Sequence, residues 1–105
     1  MNEIKYTQEN IELFKQFLNS SDNLKSYFNQ YKDNIKSFLF DECGIHINVY
    51  FQRANYRLRY FFIIETKYEF YSSDDIERNT MKTYNEALNV AIKYIFNNLL
   101  NVGKV

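Results

Sequence analysis

The chain contains no proline and no tryptophan, and its 105 residues include only two glycines, one cysteine and one histidine. Each scarcity removes a class of function. A single cysteine cannot close an internal disulfide, and with one histidine it cannot alone complete a structural zinc site. Glycine only at positions 44 and 103 leaves no phosphate-cradling loop and no serine-hydrolase elbow. Net charge is missing too: 13 basic and 13 acidic side chains cancel, which argues against a protein held mainly by phosphate attraction. No uncharged stretch approaches the ~20 apolar residues that span a bilayer, so no membrane partner is expected. The start, Met1-Asn2-Glu3-Ile4-Lys5, carries acid early and lacks an apolar signal core, which points to a cytoplasmic protein.

What is present is close to a globular average, with 46% hydrophobic and 25% charged residues, and the length suits one domain. Asn, Ile, Tyr, Phe and Lys fill half the chain, whereas alanine is rare. These five share A/T-rich codons, so codon bias accounts for much of the 19% aromatic content. Without that bias, so many rings would suggest a base-stacking surface or a sticky interface.

The periodicity predicts an α+β domain over 1–105 in the order α-α-β-β-β-α. Residues 7–19 read as a helix capped by Thr7, with Ile11, Phe14 and Leu18 at +3 and +4 spacing. The polar run 19–23 interrupts it. A second helix is predicted over about 23–42 on Leu24, Tyr27, Phe28, Tyr31, Ile35, Phe38 and Leu39, with a bend at Asp33-Asn34 and a stop at Gly44. The period then changes from 3.6 to 2. Ile45, Ile47, Val49 and Phe51 alternate with polar neighbours, and 52–55 should turn the chain. A second strand over 56–65 and a third over 68–71 follow by short links, so the three form an antiparallel sheet. Residues 72–82 have no apolar period and read as a surface loop. Thr83 and Glu86 then form a capping box for a closing helix that ends near Asn101. The second and last helices should pack the sheet within a core of 23–102, with the N-terminal segment 1–22 peripheral. Phe61 and Ile63 fall on the opposite sheet face, to be covered by the first helix or by a partner.

Four clusters could carry chemistry. Cys43 and His46 could pair as thiolate and imidazole, but they straddle a helix end and a strand start. Ile63-Ile64-Glu65-Thr66-Lys67 has the strand-ending Glu-x-Lys of Mg²⁺-dependent nucleases, yet 56–62 lacks the second carboxylate. Asp74-Asp75-x-Glu77 lacks the oxygen spacing and turn glycine of a calcium loop. None forms a complete reaction centre, so no enzyme, metal or cofactor is expected.

The fourth cluster spans Tyr50 to Tyr60 and holds three of the four arginines among rings and amides. Arginine forks beside flat rings suit an acidic protein surface, or RNA backbone and unstacked bases. Arg53, Tyr56, Arg57 and Arg59, with Phe61 and Ile63, are therefore the candidate contact residues. The α-β-β-β-α order echoes double-stranded-RNA-binding domains. However, the last helix opens on Thr83-Tyr84-Asn85-Glu86 rather than on the lysines that grip phosphate there.

Phe38 to Ile47, through Gly44-Ile45-His46-Ile47, resembles the helix-to-strand junction of short phage and mobile-element proteins of Bacteroidetes-type bacteria. Thr83-Tyr84-Asn85-Glu86-Ala87-Leu88 resembles the start of their closing helix. The resemblance covers about residues 35–100 and brings no catalytic role to any position. It implies a non-enzymatic binding protein that blocks or modulates a host protein or ribonucleoprotein, in the manner of anti-CRISPR proteins. An RNA-binding module is the alternative, and a homodimer through the Phe61/Ile63 face suits either.

Overall fold

A computed structural model describes residues 4–54, 57–76 and 81–102, without the side chains of residues 54, 57 and 58. Helix α1, Gln8–Asn19, begins where Thr7 sits in extended backbone and its hydroxyl accepts the Asn10 amide at 3.2 Å. That bond satisfies one of the amides a helix start leaves free.

The single second helix expected over 23–42 is instead two, α2 (Tyr27–Tyr31) and α3 (Ile35–Cys43). Asn34 is the cause. Its side-chain oxygen accepts the Ser37 amide at 3.3 Å, so the chain caps a new helix rather than bending an old one. Gly44 ends α3 at φ 67°, the left-handed region that a Cβ disfavours. Its amide and that of Ile45 then donate to Phe40 and Leu39.

Strand β1 (His46–Ala54) pairs antiparallel with β2 (Arg57–Glu65) without a bulge, from His46 opposite Glu65 to Ala54 opposite Arg57. The strand therefore runs through Gln52, Arg53 and Ala54, where a turn was expected. Strand β3 (Phe70–Ser72) completes the antiparallel order β1-β2-β3. The link before it is folded on Thr66, whose hydroxyl accepts the amides of Tyr68 and Glu69.

Within 72–82, of which 77–80 lie outside the described residues, the chain is not simply a surface loop. Ser73–Ile76 form a short helix, α4, and Met81 is 3% exposed with its carbonyl accepting the Tyr60 amide at 2.9 Å. Neither feature has an apolar period, because both are fixed by contacts with β2. Helix α5 (Tyr84–Tyr94) starts at Thr83, which caps the Glu86 amide. The Glu86 carboxylate reaches the Lys82 amide, one residue before the cap position that a capping box would use. A π-helical turn, Ile95–Leu99, follows α5, and Asn101 has left-handed backbone at φ 53°.

Ala87, Leu88, Ala91 and Ile92 of α5 and Phe38 and Leu39 of α3 are buried with Ile47, Phe62 and Ile64 of the sheet. Helix α1 does not cross to the other face. Its buried Phe14 meets Phe38 at 4.9 Å and Phe96 at 6.2 Å between ring centres, inside the helical layer. Much of the aromatic content lies there: Phe17, Tyr27, Phe28 and Tyr31 join the same chain of ring contacts. Asn89 of α5, 8% exposed, ties the N-terminal segment down. It accepts from the Thr7 amide and the Asn10 side chain and donates to the Lys5 carbonyl.

Candidate functional site

The strand pleat sends alternate side chains to opposite faces. Ile47, Phe62 and Ile64 go inward, so their neighbours in sequence form a second face. Phe61 and Ile63 are half-buried without packing against the core, and Tyr50 is 42% exposed. Tyr50 and Phe61 are direct cross-strand partners with rings stacked at 5.0 Å and an interplanar angle of 21°. Arg59 lies 6.0 Å from the Phe61 ring centre, in cation–π range.

Arg59 is held from two further sides. It donates to Gln52 at 3.2 Å, its register partner, and to Asp74 at 3.1 Å. The Asp74 contact depends on α4, so the charge that made Arg59 a candidate is largely answered within the chain. Ile63 completes the apolar part of this face, and Phe70 of β3, 78% exposed, stands beside Glu65 at its margin.

Of the six candidate residues, the structure brings Arg59, Phe61 and Ile63 together on this face. Arg53 is exposed and, by strand alternation, sits on the side of Val49 and Phe51. Arg57 pairs in register with Ala54, and Tyr56 lies outside the described residues. Tyr50, Gln52 and Asp74 also meet at the site although they were not among the six candidate contact residues. Tyr50 was legible once the hairpin register put it opposite Phe61; Asp74 had no local signal.

The other clusters are placed apart as far as the described residues go, Glu77 lying outside them. Cys43 packs against the core, and burial first, then the Glu42 charge, pushes its thiol up to about 11. It is a thiol, not a thiolate, at neutral pH. His46 turns instead to Asn48 at 2.7 Å, with its ring edge-on to Phe40. Glu65 faces His46 on β1 and Phe70 on β3, so the register supplies no second carboxylate. Asp41 and Glu42 are engaged by the Tyr31 hydroxyl at 3.3 and 3.4 Å. Those carboxylates and burial raise the Tyr31 pKa, burial being the larger cause. Among the described residues, no three His, Cys, Asp or Glu side chains gather to hold a metal ion, and no helix is long and apolar enough to cross a membrane.

The class defined by this fold is an α+β protein with a three-stranded antiparallel sheet, one face of which packs against α3 and α5. Set against known protein families, characterised proteins and solved structures, the chain matches none.

Proposed function

We propose that this chain is a non-enzymatic binding protein of the phage or mobile-element type. It blocks or modulates a host protein in the cytoplasm, with a defence system as target in the anti-CRISPR manner. One observation carries the binding role: the Tyr50–Phe61 stack, fastened by Arg59, on the sheet face that does not pack against the core among the described residues. Tyrosine and arginine dominate binding hot spots because they join large contact area to directed hydrogen bonds. An apolar centre of Tyr50, Phe61 and Ile63 rimmed by Asn48, Gln52, Arg59 and Glu65 has the anatomy of a protein interface. Arg59 is already held by Asp74 and Gln52, so docking costs it little rotamer freedom.

The test is affinity capture with the tagged chain, followed by binding measurements with the purified captured protein. Tyr50→Ala together with Phe61→Ala should weaken that complex by at least ~30-fold, whereas Lys25→Glu on the helical side should not. Equal affinity for all three proteins removes the reading. The same ring pair supports a second reading, single-stranded RNA, because paired rings on an open sheet are a stacking platform for bases. It requires binding to an RNA oligonucleotide that weakens steeply with salt and is lost in the double variant.

A further inference from the structure

The two sides of the β1-β2 hairpin are finished differently. On the far side of β2, Ile64 pairs with Tyr71, the Phe62 amide donates to Ser73 Oγ at 3.1 Å, and the Tyr60 amide donates to the Met81 carbonyl at 2.9 Å. From Tyr60 to Glu65 that side is occupied. On β1, by contrast, no backbone hydrogen bond reaches the strand from its outer side among the described residues. This free edge is nine residues long, unbulged, and without proline or lysine, the devices that usually blunt an edge.

The orientation of its groups follows from β2. The amides of Tyr60 and Phe62 point away from β1, so Phe51–Tyr60 and Val49–Phe62 are non-hydrogen-bonded pairs. In such pairs both residues direct their backbone groups outward. Ile47, Val49, Phe51 and Arg53 therefore offer their N–H and C=O groups to the free edge.

We infer that a second copy of this chain occupies that edge, pairing β1 antiparallel with β1 about a two-fold axis at Tyr50. This register sets Ile47 against Arg53, Val49 against Phe51, and Tyr50 against Tyr50 of the second copy. Every outward group at 47, 49, 51 and 53 then finds a partner, two bonds at each of four pairs. No other two-fold register pairs those four residues entirely among themselves. The side chains match as well: Phe51, 57% exposed, meets Val49; Asn48 meets the Gln52 amide; no two like charges face each other. The product is a continuous six-stranded sheet whose two Tyr50–Phe61 stacks adjoin at the axis. The contact is the strand edge, not the Phe61/Ile63 face.

The experiment needs no other partner. Sedimentation of the wild-type chain from about 1 to about 200 μM should show its mass rising from one chain to two. Tyr50→Lys and Tyr50→Glu each place like charges across the axis and should each weaken self-association at least ~30-fold. Mixing the two variants should restore a dimer, because the opposed charges then attract. Under mild oxidation, Tyr50→Cys should cross-link residue 50 to residue 50, identified by peptide mass, whereas Asn48→Cys, which faces Gln52, should not link to itself. A single-chain mass throughout the range overturns the inference. So does a dimer that neither charged variant weakens, or one whose cross-link forms at Phe61→Cys but not at Tyr50→Cys.

Discussion

Phe61 and Phe62 are neighbours in one strand and identical in chemistry, yet their surroundings are opposite. Phe62 is 0% exposed, beneath the alanines and aliphatics of α5, whereas Phe61 lies outside the core, stacked on Tyr50 and crossed by Arg59. Hydrophobicity did not choose between them. The pleat gave them opposite directions, and α5 packs over only one of them. The inner face is thus a packing surface, while the outer face, built from the same residue types, does not pack against the core.

Thermal and urea unfolding can break that comparison. Phe62→Ala should cost about 3–5 kcal/mol, the range for deleting a fully buried ring, and leave little folded protein. Phe61→Ala should cost under ~1 kcal/mol; equal losses would mean that the outer face is also core. Ser73→Ala comes next, at about 1–3 kcal/mol, because it strands the buried Phe62 amide.

Alkali tests the helical side. The folded chain holds the Cys43 thiol near 11 against an ordinary 9.0, so the unfolded chain ionises first. The associated stability is intact below about pH 9 and drains as pH rises towards 11, by at most about 2–3 kcal/mol. Tyr6 and Tyr31, also raised mainly by burial, act in the same direction. Urea midpoints measured between about pH 8 and pH 10.5 should fall less steeply in Cys43→Ala than in the wild type. The smallest effect belongs to the outer face: Asp74→Asn should cost about 0.2–1 kcal/mol and less at high salt, since its ion pair with Arg59 is partly exposed.

Elements whose signals are local were legible. Thr7 and Thr83 mark helix starts, Gly44 marks a stop, and the alternation from Ile45 onward marks a strand, because each acts through bonds within a few residues. The break at Asn34 was less so. An apolar spacing kept through 24–39 conceals it, and only the cap on Ser37 reveals that the helix restarts. Burial of Met81 and formation of α4 were hidden for a different reason: their partners, Tyr60 and Phe62, lie more than ten residues away in sequence. The candidate site divided along the same line. Strand parity already grouped Arg59, Phe61 and Ile63, but not the Asp74 carboxylate that holds Arg59.

By itself the sequence determined the α+β class and the antiparallel hairpin, since these depend on residue type and short-range period. Tertiary structure alone decided that α3 and α5 cover one face of the sheet, that α4 and Met81 line the far side of β2, and that no backbone bond reaches the outer side of β1 among the described residues. Those outcomes rest on where distant segments meet, and periodicity carries no information about the partner a face or an edge will find.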